Sequence, residues 1–157
     1  MKPPTGMANR LGSLARLFGI VLVAAGGGSA AAQTELLPPE ETFRPTAEAL
    51  GPDRVRITWE VAKGYYLFRD TLELKVVEPA GVGVAAIEKP PGMPKYDPSL
   101  RKRRRIYRGD AWLVAELEGN EGADAVTVSV RYQGSAAALD AGICFPVQST
   151  EFDVSLK

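Results

Sequence analysis

One cysteine and no histidine leave this 157-residue chain few routes to covalent chemistry. Without histidine there is no Ser-His or Cys-His activation of a nucleophile, and the commonest zinc ligand is missing. No metal or cofactor is therefore expected. Cys144 has no partner for an intramolecular disulfide. It is either a small buried hydrophobe or a free thiol that meets another molecule. Its surroundings bear on that choice. Tyr132-Gln133-Gly134 ends an alternating stretch, and Asp140-Ala141-Gly142-Ile143-Cys144-Phe145-Pro146 follows. A glycine-containing loop closed by proline can present sulfur at the end of a β-structure. The other concentration of chemistry is the basic run Arg101-Lys102-Arg103-Arg104-Arg105. Such a run either stays in water on a hairpin face or docks an acidic partner or anionic lipid.

Stepping outward along the chain, the N-terminus reads as an export signal. Lys2, Arg10 and Arg16 are the only charges before Glu35, and LFGIVLVAA over residues 17–25 is a short apolar run. Ala30-Ala31-Ala32 supplies the small-residue cleavage pattern, so residues 1–32 are expected to be a cleaved signal peptide. Residues 33–157 then form the mature domain. Its Lys+Arg count is 19 less the three in the signal, or 16, against 19 Asp+Glu, a formal net charge of −3. That balance argues against a nucleic-acid binder. A lone cysteine in an oxidising compartment is unusual enough to matter. No second long apolar segment follows, so no membrane span is expected in the mature chain.

Residues 33–39 are a polar, proline-bearing lead-in. Period-2 alternation then predicts strands over 55–61, 72–76, 112–117, 126–132 and 150–156, with a weaker one over 82–87. Gly51-Pro52-Asp53 and Pro79-Ala80-Gly81 supply turn chemistry. Pro90, Pro91, Gly92 and Pro94 open a loop or hairpin over 90–105. No helical period of useful length follows residue 49. About seven to nine short strands separated by turns predict an all-β, antiparallel β-sandwich, with Trp59 buried between its sheets.

Four segments in order resemble a known family: Leu37-Pro38-Pro39-Glu40, Gly64-Tyr65-Tyr66-Leu67-Phe68-Arg69-Asp70, Tyr107-Arg108-Gly109-Asp110, and the Tyr132 to Pro146 stretch. They look like the N-terminal periplasmic domain of the thiol:disulfide interchange protein DsbD. The resemblance covers most of residues 36–157, and its last segment is the specific one. It implies an immunoglobulin-like sandwich with a redox cysteine pair at one end under a short cap loop. The family pattern is Tyr-Gln-Gly-Cys-Ala-Asp-Ala-Gly-x-Cys. Here Ser135 follows Tyr-Gln-Gly, Ala136-Ala137-Ala138 resembles inserted sequence, and the first cysteine is absent. Cys144 matches the second, which the family uses to link to partners.

The resemblance also implies a cap near Asp97-Pro98-Ser99-Leu100-Arg101, where the family has Asp-Glu-Phe-[Phe/Tyr]-Gly. The shielding aromatic is missing and Leu100 is the nearest apolar substitute. Tyr66 and Phe68 match the aromatics beside the sulfurs. Tyr132, Asp140 and Phe145 complete the implied pocket. The bland alternative places Tyr65, Tyr66 and Phe68 in the core. On this resemblance the chain is a periplasmic exchange protein acting through mixed disulfides at Cys144 with thioredoxin-like domains. Two sulfurs are needed for a complete dithiol cycle. The alternatives are a redox-silent binding module on the same fold and a homodimer linked through Cys144.

Overall fold

The computed structural model describes residues 36–137 and 143–157. The expected signal peptide and Asp140 lie outside them. Among the described residues, one helical turn at Pro39–Thr42 is followed by eleven strands. They are β1 (Phe43–Gly51), β2 (Arg54–Val61), β3 (Tyr65–Phe68), β4 (Glu73–Glu78), β5 (Gly83–Glu88) and β6 (Met93–Asp97). Then follow β7 (Lys102–Tyr107), β8 (Ala111–Glu118), β9 (Ala125–Tyr132), β10 (Gly134–Ala136) and β11 (Gln148–Ser155). Two antiparallel sheets, β1-β2-β8-β5 and β11-β9-β4, enclose the main core. A third, β10-β3-β7-β6, adds Tyr65, Leu67, Tyr107 and Ala136 to that core and carries the site.

Alternation explains the two large sheets. Val55, Ile57, Trp59 and Val61 of β2 face Val126, Val128, Val130 and Tyr132 of β9 within one apolar cluster. Trp59 is fully buried, with its ring edge-on to Tyr132 at 5.7 Å between centroids. The architecture is the expected immunoglobulin-like sandwich. β1, outside the strands that alternation predicts, carries Pro45. It is tolerated because β1 is an edge, where a missing N–H costs no ladder bond.

β3 breaks the alternation, since all four of its residues are buried. Tyr65 and Leu67 enter the main core, whereas Tyr66 and Phe68 form a separate small cluster with Ile106 on the opposite face. That outer face has its own cover, and the cover is the β6–β7 hairpin.

Candidate functional site

Cys144 lies in an isolated antiparallel bridge whose partner is Ser135. The flanking bonds are Ala136 N–H to the Ile143 carbonyl, 3.2 Å, and Phe145 N–H to the Gly134 carbonyl, 2.9 Å. Those bonds bracket residues 135 and 144, which makes them a non-hydrogen-bonded pair. In such a pair the Cα atoms lie about 4.5 Å apart and the two side chains leave the same face. Ser135 is fully buried, and its hydroxyl donates to the Ile143 carbonyl at 2.9 Å. Cys144 is a free, exposed cysteine, flanked by exposed Ile143 and Val147.

Register carries that face across the sheet. Ser135 pairs with Tyr66, Phe68 with Ile106, Ile106 with Met93, Arg104 with Lys95, and Lys102 with Asp97. Paired residues share a face, and so do residues two apart along a strand. Cys144, Ser135, Tyr66, Phe68, Lys95, Asp97, Lys102 and Arg104 therefore lie on one face of the lateral sheet. Phe145, next to Cys144, points the other way. It packs edge-on against Phe43, with ring centroids 5.5 Å apart, and at a tilt of 46° against Tyr65, at 5.9 Å. Tyr132 joins it in the main core, where burial pushes its phenol above the ordinary value. Of the predicted site residues, Tyr66, Phe68, Asp97 and Cys144 share a face, while Tyr132 and Phe145 support it from behind.

The Tyr-Gln-Gly segment fixes this arrangement. Gln133 Nε2 donates to the Phe145 carbonyl at 2.9 Å, holding the cysteine segment against β10. Its backbone carbonyl accepts the Phe68 N–H at 3.0 Å, and its N–H donates to Thr71 Oγ1 at 3.0 Å. Gly134 is required by close approach, because a Cβ there would overlap the Phe43 ring and the Tyr66 carbonyl.

The cover on Tyr66 and Phe68 is cationic. The Arg104 guanidinium lies 3.6 Å from the Phe68 ring centroid, and Lys95 Nζ lies 5.4 Å from that of Tyr66. Cations on aromatic faces are attracted by the ring quadrupole, Arg most often. Arg104 also pairs with Asp70 at 2.8 Å and Asp97 at 3.5 Å. Asp97 closes the hairpin, accepting from the Ser99 hydroxyl and from the N–H groups of Ser99 and Leu100. The Ser99 hydroxyl, with those N–H groups and Arg104, holds the Asp97 carboxyl below its ordinary value against the opposing effect of burial. Leu100 is exposed at the turn, and Arg101 beside it adopts the left-handed conformation, with φ 51°.

Sequence reasoning missed Lys95, Arg104 and Gln133 as site residues, and read Ser135 only as the place of a lost cysteine. The basic run gave a signal for Arg104, but which of its members turns inward depends on register. Among the described residues no group of three or more His, Cys, Asp or Glu could hold a metal ion. No helix among them is long and apolar enough to cross a membrane.

An immunoglobulin-like sandwich with a thiol on the outer face of a small lateral sheet, beside a covered aromatic pair, defines a class of thiol-bearing β-domain. The family described as "Thiol:disulfide interchange protein DsbD, N-terminal" matches residues 33–156. The chain belongs to that family. It is 34% identical over 138 residues to the DsbD of Ralstonia nicotianae, covering 87% of this chain and 22% of that protein. Against the DsbD of Escherichia coli K12 the identity is 28% over 149 residues, covering 95% of this chain and 25% of that protein. The chain thus spans about a quarter or less of the curated relatives it matches. The reduced DsbD N-terminal domain of Neisseria meningitidis superposes with a TM-score of 0.64 at 28% identity, over 76% of this chain and 90% of that one. The same domain in complex with the PilB N-terminal domain gives 0.58 at 30% identity, over 76% and 87%.

Proposed function

We propose that this chain is a periplasmic thiol–disulfide exchange module that works through mixed disulfides at Cys144 with thioredoxin-like domains. Residues 1–32 serve as its signal peptide and residues 33–157 as the mature domain. The observation that carries this reading is the exposure of Cys144 at the position matching the family's partner-linking cysteine. An inert remnant is more often buried. The relative solved with the PilB N-terminal domain supports a protein partner of this kind.

The step is a displacement. The Cys144 thiolate attacks one sulfur of a partner disulfide, a new S–S bond forms to Cys144, and the partner's other sulfur leaves as a thiolate. Ser135 offers a hydroxyl where a resolving sulfur is needed, so release falls to a partner thiol or a small thiol. Tyr66, Phe68, Asp97 and Leu100 form the rim, and Tyr132 and Phe145 position the cysteine segment.

The test is thiol labelling of the native protein. One site should react, Cys144→Ser should abolish the reaction while the domain stays folded, and no turnover should occur without added thiol. Reaction only after denaturation would replace this reading with the redox-silent binding module. Ile143 and Val147, exposed in the same segment as Cys144, favour one further reading, a Cys144-linked homodimer, which a doubled mass without reductant would reveal.

A further inference from the structure

Cys144 makes no ladder bond of its own to β10. In a non-hydrogen-bonded antiparallel pair the N–H and C=O of each residue point away from the partner, so the neighbours must set how Cys144 is turned. Pairing here is one residue wide, because the bridge is isolated and β11 begins only at Gln148. Two backbone bonds make it among the described residues, from Ala136 N–H to the Ile143 carbonyl and from Phe145 N–H to the Gly134 carbonyl. So short a pairing is marginal by itself. The Phe145 ring pins the segment in the core at one point, which fixes its place and leaves its rotation open.

Two side chains close that freedom. Ser135 Oγ donates to the carbonyl of Ile143, the residue before the cysteine, and Gln133 Nε2 to that of Phe145, the residue after it, both at 2.9 Å. Neither donor is loose. Ser135 is fully buried, and the Gln133 backbone is tied to the Phe68 N–H and to Thr71 Oγ1. The direction in which the sulfur leaves the sheet is thus tied to the end of β3.

Direction matters for one kind of substrate. A thiolate attacks a disulfide sulfur opposite the sulfur that leaves, and rate depends on holding the reacting groups in that geometry. A small disulfide can turn to meet the thiolate from any side. A disulfide fixed in a folded partner cannot.

We propose that Gln133 and Ser135 are positioning residues for Cys144, needed for exchange with a protein disulfide and dispensable for a small one. Ser135 supplies by hydrogen bond the tie that a second sulfur would make covalently. This rests on the exchange reading for Cys144, and the two are tested apart.

The variants are Ser135→Ala and Gln133→Glu, the latter nearly isosteric but with no side-chain donor once ionised. The first measurement is amide hydrogen exchange at Ala136 and Phe145 in the full chain. One such bond is worth roughly a fivefold change in the balance between seated and loosened segment. Each variant should exchange these amides about fivefold faster and the double variant about twenty-five-fold, with β2 unchanged. In Gln133→Glu the effect should reverse at about pH 3.5, where the protonated carboxyl donates again; in Ser135→Ala it should persist. Unchanged exchange at both amides overturns the positioning role whatever Cys144 does.

The second measurement compares Cys144 reaction rates with two disulfides. With 4,4′-dithiodipyridine the thiolate attacks one sulfur and a thiopyridine anion leaves. The other is a thioredoxin with one active-site cysteine, held as a mixed disulfide with thionitrobenzoate. The Cys144 thiolate attacks the thioredoxin sulfur, an S–S bond joins the two proteins, and coloured thionitrobenzoate leaves. The double variant should join thioredoxin more slowly, by about threefold up to the roughly twenty-five-fold ceiling set by the loosened population, and react with the small disulfide at the parent's rate. Parent rates with both, or equal slowing with both, overturn the positioning role and leave the exchange reading standing. A native protein inert to both sinks the exchange reading and the positioning role with it, even where the amide result shows that the two bonds hold the segment.

Discussion

Replacing Ser135 by cysteine places a second sulfur directly across from Cys144. The two positions form a non-hydrogen-bonded antiparallel pair, with a Cα separation of about 4.5 Å, inside the window of roughly 4.4–6.8 Å that a disulfide spans. Closing the loop from 135 to 144, about ten residues, restricts the unfolded chain by ~2.7 kcal/mol in the chain-entropy account. Against this stands the lost hydrogen bond from Ser135 Oγ to the Ile143 carbonyl, about 1 kcal/mol. Oxidised Ser135→Cys should therefore be about 1–2 kcal/mol more stable than the parent, and its reduced form about 1 kcal/mol less stable. Urea unfolding with and without reductant reads both, with midpoints about 1 M or more apart. Thiol titration of the folded, oxidised variant should find none, against one in the parent. The variant should also resolve its own mixed disulfides and turn over without added thiol. Two free thiols persisting under mild oxidant, or a disulfide forming only between molecules, would refute the register on which the site is built.

Gly134→Ala should destabilise the domain by about 1–3 kcal/mol, because the added methyl overlaps the Phe43 ring; a melting curve equal to the parent's would mean that ring is displaced. Arg104→Ala should cost about 2 kcal/mol and raise amide exchange across residues 93–107, with Arg104→Lys giving little rescue because lysine cannot stack and fork at once. The Asp97 carboxyl is held below its ordinary value in the folded state, so its contribution is present above about pH 4, the unfolded value, and is lost as pH falls through the folded one. Asp97→Ala should accordingly flatten part of the decline in stability below about pH 4, and parallel profiles for the two proteins would refute the assignment.

The sequence by itself determined the elements whose pattern is local. Val55, Ile57, Trp59 and Val61 alternate because β2 has one buried face, and β9 and β11 read the same way. The Tyr132 to Pro146 segment was enough to place the chain near its family, and the missing first cysteine was visible as Ser135. Strands that lack clean alternation were not legible. β1 hides behind Pro45, and β3 is buried on both faces, so its residues show no period of two. The one-turn helix at Pro39–Thr42 is too short to leave a periodic trace.

Tertiary structure alone decided what meets what around the sulfur. Residues 66, 104, 135 and 144 are brought to one face by cross-strand register, a property of pairs distant in sequence. A slip of one residue would turn each of them to the opposite side. In a run of five cationic residues, no local rule distinguishes Arg104, which stacks on Phe68, from its neighbours in water. That choice is made by Phe68 and Ile106 pairing across β3 and β7, which turns Arg104 to the face that carries the Phe68 ring.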